Sequence, residues 1–232
     1  MSEFFPAFDF AMQHEDASRS GRVTQDAGGR TRFGIAAKFH PELPESFFTG
    51  PAEAALKTAE EILRRDYWQP MRLAELREQT PANKLFDMGV NMGVRQAAIY
   101  AQRAVNGLIV DAQALATNGQ SGRNGRDGLD GHDAEAGEQA SSESSLSGGA
   151  QAPGPPARDG FPRDGVEVLL PATCIAEDGV IGEHTLAALN AADPPKLYAL
   201  LCEWSRRHYE HVVAINPAQA KNLSGWLKRA DA

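Results

Sequence analysis

The sequence predicts a mainly α fold, α+β in the broad sense, with one small β-hairpin. Three observations carry this. Phe4, Phe8, Ala11, Met12 and Glu15 recur at helical spacing. Gly21 to Ala36 is rich in turn residues and alternates weakly, which suits a short hairpin. From Pro51 onward, one segment apart, apolar residues return every three or four positions.

The first helix ends near Glu15, where the turn-rich stretch begins. A second helix starts at Pro51 as its first residue, after Thr49 and Gly50, since proline lacks only an N–H that a first turn leaves unbonded. Its stripe is Ala52, Ala55, Leu56, Ala59, Ile62, Leu63 and Tyr67. Pro81 opens a third helix through Leu85, Phe86 and Val90. Gly93 allows a break, and Val94 to Val105 forms another helix with Gly107 as its stop. Further on, VEVLLP (166–171) reads as a short strand and GEHTLAALN (182–190) as a short helix. Pro195 to Val213 reads as a long helix, with Leu197, Leu200, Leu201, Trp204 and His208 on one face. LSGWLKRA follows near the C-terminus.

The exception is Thr117 to Gly165, which holds 11 of the 22 glycines. Its eight acidic residues and four arginines give it a net −4, half the charge of the chain. Such a segment buries too little apolar surface to offset its ordering entropy, so it reads as a flexible insertion. Glycine recurs at every third position from Gly119 to Gly131, yet without proline in the triplets a loop is the expectation rather than a triple helix.

Composition narrows the function. A chain of 232 residues with 42% hydrophobic content can build a sizeable core. A net charge of −8 lacks the basic footprint of a nucleic-acid binder. Cys174 and Cys202 make no disulfide framework and read as two buried free thiols. MSEFFPAFDFAMQHE has neither a basic start nor a long apolar core, so no signal peptide is expected. Nor is a membrane span. Synthesis in the cytoplasm without a signal means that any target outside needs separate delivery.

The chemistry concentrates in QHEDASRSGRVTQDAGGRTRFGIAA (13–37). Glu15 falls on the apolar side of its helix, seven residues after Phe8 and three after Met12. A carboxylate there costs free energy unless it is paired, or unless its pKa rises so that it stays protonated. A protonated carboxyl at neutral pH is what a general acid requires. The next loop adds a second carboxylate, Asp26, and a hydroxyl, Thr31. Such a set can protonate a leaving oxygen on one face of a sugar while holding water on the other. The bland reading is a plain helix-end glutamate followed by a turn. A zinc-protease helix is a poor fit, because His14-Glu15-Asp16-Ala17-Ser18 has no second histidine. His208 and His211 stand three apart with no third ligand nearby in sequence, and read as surface histidines.

Several motifs resemble, in order, those of glycoside hydrolase family 108, the bacterial and phage N-acetylmuramidases. His14-Glu15 and then Asp26-Ala27-Gly28-Gly29-x-Thr31-x-x-Gly34-Ile35 are similar to its H-E-G-G-Y and D-P-G-G-x-T-x-x-G-I. Tyr67-Trp68 fits its tyrosine–tryptophan pair. Phe86-Asp87-x-x-Val90-Asn91-x-Gly93 fits its F-D-x-x-V-N-x-G, followed by Ala97, Ala98 and Gln102 at similar spacing. Asp178-Gly179-Val180-Ile181-Gly182-x-x-Thr185 and Gly225-Trp226-Leu227-x-Arg229 resemble its C-terminal peptidoglycan-binding part.

The resemblance implies a lysozyme-like fold, with the small hairpin beside the active site. It implies residues 1–107 as catalytic domain, 108–116 as connector, 117–165 as insertion and 166–232 as a helical peptidoglycan-binding part. It implies hydrolysis of the β-1,4 bond between N-acetylmuramic acid and N-acetylglucosamine, without cofactor or metal. Glu15 maps onto the acid, and Asp26 and Thr31 onto the residues that handle water. The implied partner is peptidoglycan of the periplasm or cell wall, reached after release or export through a holin or a secretion apparatus. Asn91, Tyr67 and Trp68 are candidate substrate contacts, although Tyr67 and Trp68 fit a core equally well and Asp87 with Asn91 suit a structural hydrogen-bonding role. The D-G-V-I-G turn reads first as structural, and Trp226 as a core lid.

The departures are Asp16-Ala17-Ser18 in place of Gly-Gly-Tyr, and Ala27 in place of proline. The first removes an aromatic that could stack on sugar and sets a second negative charge beside Glu15. Three other functions stay open: a non-catalytic glycan-binding module, a chitinase-like glycosidase and a lytic transglycosylase.

Overall fold

The computed structural model describes residues 1–26, 29–121, 171 and 173–232, with backbone only at 26 and 118–121. The insertion at 117–165 and the strand VEVLLP lie outside the described residues, save 117–121, which are helical, and Pro171. Residues Met1–Ala116 and Val168–Ala232 form one compact unit, and Thr117–Glu167 a second. The first is mainly helical with a small antiparallel sheet, as the sequence predicts.

Helix α1 (Phe4–Glu15) buries Phe4, Ala7, Phe8, Ala11 and Met12 on one stripe. It stops at Glu15 because Asp16 offers the chain another set of bonds. The Asp16 carboxylate accepts from the N–H groups of Ser20 and Gly21 and from the Ser18 and Ser20 hydroxyls. Such local capture competes with a further helical turn.

Strands β1 (Thr24–Asp26), β2 (Gly29–Arg32) and β3 (Ile35–Ala36) pair antiparallel in that order. Thr24 faces Thr31, Asp26 faces Gly29, and Arg32 faces Ile35. One hairpin was expected and two are formed. Phe33 and Gly34 both take positive φ, 51° and 78°, the backbone of a tight two-residue hairpin turn. Arg32 is buried and ties the sheet down. Its Nε donates to Gly21 O at 2.8 Å, and its Nη1 to Phe47 O at 2.6 Å and Gly50 O at 3.0 Å.

Helix boundaries differ from expectation in three places. A helix α2 (Glu45–Thr49) precedes α3 (Ala52–Leu63), and Pro51 lies just before α3 instead of opening it. Five residues are too few to show a period in sequence. A π-turn then carries the chain from Arg64 to Trp68. Helix α4 (Gln79–Met92) starts two residues before Pro81, which sits in the first turn, where its missing N–H costs nothing. Gly93, at φ 89°, makes the expected break. Helix α5 (Val94–Ser121), however, runs through Gly107. Glycine inside a helix costs about 1 kcal/mol. Burial of Leu108 and Ile109 just beyond it offsets that cost.

After the second unit come α6 (Glu183–Ala191), α7 (Pro194–Ile215) and α8 (Leu223–Ala230). Asp193 caps α7, accepting from Lys196 N at 3.0 Å. Helix α4 is the centre of the unit: α1 packs on it, α7 packs on it, and α8 packs on α7. Phe4, Trp68 and Phe86 meet edge to face with ring centroids 5.6–6.0 Å apart. Cys174 and Cys202 are free, but Cys174 is exposed on the segment leading to α6 and Cys202 is only partly buried. Among the described residues no helix is long and apolar enough to cross a membrane.

Candidate active site

Glu15 is the last residue of α1, and its side chain is 21% exposed. The β2–β3 turn lies against it. A Cβ built on Gly34 would stand 3.5 Å from Glu15 Cγ and 3.7 Å from Oε2. Those are ordinary contact distances, so it is the φ of 78° that favours glycine at this turn. The other oxygen, Oε1, accepts from Nη1 of Arg229 at 2.6 Å. The core-facing carboxylate is therefore paired, the first of the two outcomes open from sequence.

Arg229 is buried and comes from α8, 214 residues from its partner. Its Nε donates to Asp87 Oδ1 at 3.0 Å, and Nη2 lies 2.9 Å from the same oxygen. Burial disfavours the guanidinium charge, but the carboxylates of Asp87 and Glu15 outweigh it and raise its pKa. One turn before Asp87, the fully buried Lys84 donates to Arg229 O and Ala230 O, each at 2.8 Å. Helix α4 thus grips both the backbone end of α8 and the Arg229 side chain. Burial lowers the pKa of Lys84, with the Cys202 and Asp87 charges opposing that shift.

Two tyrosines border the group. Tyr67 is half-buried on the π-turn, and burial raises its pKa, helped by the charges of Asp66 and Glu15. Tyr209 of α7 is buried, donates to Asn91 Oδ1 at 3.0 Å and stacks on Trp226 with centroids 5.4 Å apart. Burial raises its pKa too, and the Arg229 charge opposes the rise. Tyr67 and Glu15 thus come together, and Asn91 sits exposed at the rim of the same α4–α7 junction. Trp68 does not join them. It is buried edge-on to Phe4 and Phe86, the core alternative left open from sequence.

The sheet carries the other two candidates. Thr31 lies mid-β2, and its Oγ1 is buried without a hydrogen-bond partner. Asp26 pairs with Gly29 at the end of the sheet away from Gly34. At 3.2–3.4 Å per residue, its backbone sits about 10 Å along the strand from the end that touches Glu15. Asp16 is engaged by the loop after α1. Burial opposes its charge, but the N–H groups of Gly21 and Ser20 and the serine hydroxyls hold its pKa below the ordinary value.

Sequence reasoning gave Asp87 a structural hydrogen-bonding role, named Arg229 only as a motif letter, and missed Lys84 and Tyr209. The closing Gly-Trp-x-x-Arg pattern held the one available signal, since a motif arginine on an apolar helix needs a buried partner. Two expectations away from the site also resolve. The D-G-V-I-G turn is docked on α5: Gly179 N donates to Gln102 Oε1 at 3.0 Å, and Gln102 Nε2 donates to Asp178 Oδ1 at 2.7 Å and Val180 O at 3.0 Å. His208 is not a surface histidine; it is half-buried with Nδ1 3.1 Å from the Tyr100 hydroxyl, and burial lowers its pKa.

Comparison with known proteins agrees with this layout. Residues 8–93 match the glycosyl hydrolase 108 family model, and residues 167–231 match the model described as a predicted peptidoglycan domain. No curated protein and no solved structure matches the chain. The first match spans Glu15, the sheet and α4, and the second spans Arg229, so the two segments that meet at this site are the two that the families describe. The chain joins a glycosyl hydrolase 108 segment to a C-terminal peptidoglycan domain, and the two together support a peptidoglycan hydrolase.

Proposed function

We propose that the chain is an N-acetylmuramidase of lysozyme type. It would cleave the β-1,4 bond between N-acetylmuramic acid and N-acetylglucosamine, with Glu15 as general acid. One observation carries this: Glu15 is held by one oxygen at a helix end, part-exposed, with its second oxygen beside the bare backbone of Gly34. An acid needs this combination, an anchored carboxyl with one oxygen free to meet a leaving group. In this reading Oε2 gives its proton to the glycosidic oxygen as the bond to the muramic anomeric carbon breaks. Water takes the carbon and passes its proton to Asp26, which with Thr31 on the following sheet is assigned to hold that water. Tyr67 and Asn91 are assigned sugar contacts. The substrate lies in the cell wall or periplasm, so release by a holin or export by a secretion apparatus belongs to the same reading.

Glu15→Gln tests it. The amide keeps the shape but has no proton to give, so purified sacculi should be digested about 10²–10⁴-fold more slowly by a folded protein. Asp26→Asn should cost less. Digestion near the parent rate by Glu15→Gln would end the assignment. Product analysis separates the rivals: 1,6-anhydro ends mark a transglycosylase, cleavage of chitin chains alone marks a chitinase, and binding of sacculi without new ends marks a glycan-binding module.

A further inference from the structure

We infer that Arg229 is a positioning residue of the active site, so that the peptidoglycan segment supplies part of the catalytic machinery. This rests on Glu15 being the general acid. The guanidinium is a buried bridge between two helices: Nη1 holds Glu15 at the end of α1, while Nε donates to both oxygens of Asp87 in the middle of α4, at 3.0 and 3.2 Å. A glutamate at a helix end has three side-chain torsions to fix. In the described structure its only ion pair is with Arg229.

The geometry also sets which oxygen reacts. Nη1 takes Oε1 and leaves Oε2 at Gly34. Without the guanidinium, either oxygen could face the substrate and the carboxyl could swing. Asp87 keeps the fork from turning, and Lys84 fixes the α8 backbone beneath it through Arg229 O and Ala230 O. The planar fork matters, because a point charge cannot hold two carboxylates on two helices with the same angular restraint.

Charge bookkeeping points the same way. Glu15, Asp87 and Arg229 together carry −1 when both carboxylates are ionised. Lys84, His14, Tyr209, Tyr67 and Tyr198 are the other titratable groups whose charges couple to this set. A proton on Glu15 would bring the three-group set to neutrality without breaking the Asp87 pair. Arg229 therefore holds the acid in place in both of its protonation states.

Three variants of the full chain test this, read by melting temperature and by kcat and KM on soluble peptidoglycan fragments. Arg229→Lys should fold, keep KM within about twofold and lose about tenfold or more in kcat, since a misplacement near 1 Å costs up to about 10²-fold. Arg229→Met alone would strand the buried Asp87, so it is combined with Asp87→Asn, which leaves only the part-exposed Glu15 without its partner. The double variant should lose about 10²-fold in kcat. Parent-like kcat in either folded variant would overturn the inference. If the double variant does not fold, Arg229→Lys decides alone. Glu15→Gln is run beside them: full activity there overturns the acid assignment itself, whereas loss there with parent-like Arg229→Lys overturns only the positioning role.

Discussion

His14 and Glu15 are neighbours at the end of α1, but burial treats them differently. Glu15 gains a guanidinium partner. His14 has its Nε2 buried without one. Burial lowers the His14 pKa below 6.5, with Asp87 opposing that shift and Arg229 assisting it. The unfolded chain then takes up the proton first as pH falls below 6.5. Stability is whole above that value and drains away down to the lower folded value. His14→Phe keeps a ring against Phe10, which stands 5.7 Å from the histidine ring. It should therefore melt with a smaller loss between pH 7 and pH 5 than the parent, and equal slopes for the two proteins would refute this. At this scale the sequence was half legible. The step from Phe8 to Met12 to Glu15 shows that a carboxylate faces the core. Its partner lies 214 residues away, on a helix whose own period says only that one side is apolar. Periodicity reports which face is inward, not which inward residues meet.

At the scale of elements, the long stripes were readable and their ends were not. Gly93 and Gly107 look alike in sequence, and only Gly93 breaks its helix. What separates them is the burial of Leu108 and Ile109 against the rest of the unit, a tertiary fact. The D-G-V-I-G turn is similar: its glycine suggests a sharp bend, but its place depends on Gln102 of α5. Gln102 is almost fully buried and bonds to Gly179, Asp178 and Val180 through both ends of its amide. Gln102→Met would keep the volume and strand the Gly179 N–H, whereas Val180 O would keep its bond from Gly182 N at 3.0 Å. A buried polar group left without a partner costs about 1–3 kcal/mol. The variant should melt lower by that measure. A backbone amide at Gly179 that exchanges faster while α1 exchanges at its parent rate would place the damage in this turn. An unchanged melting temperature would mean that Arg95 and Ile99, which crowd Gly179, hold the turn without Gln102.

At the scale of the molecule, one compact unit is assembled from both sides of the glycine-rich segment. Arg72 reaches Glu183 at 2.8 Å, Arg77 N donates to Asn190 Oδ1 at 2.8 Å, and Lys84 and Asp87 hold Arg229. Residues 117–165 connect the two parts of this unit in sequence, and their composition was legible at once. They count 49 residues and offer few large apolar side chains. The cost of closing a loop grows only with the logarithm of its length, about 0.6 kcal/mol per doubling. Replacing 117–165 with about 15 Gly/Ser residues shortens that connection by nearly two doublings. That should raise stability by about 1 kcal/mol. Fully extended, such a linker reaches about 50 Å at 3.3–3.6 Å per residue, ample slack for one compact unit. Sacculus digestion should stay within about twofold of the parent, because Glu15, Arg229, Asp87 and Thr31 all lie outside the replaced residues. The comparison needs only a thermal melt and a digestion rate. A melting temperature several degrees lower, or digestion falling tenfold, would mean that these residues pack on the unit or touch the substrate, and that they are more than a connection.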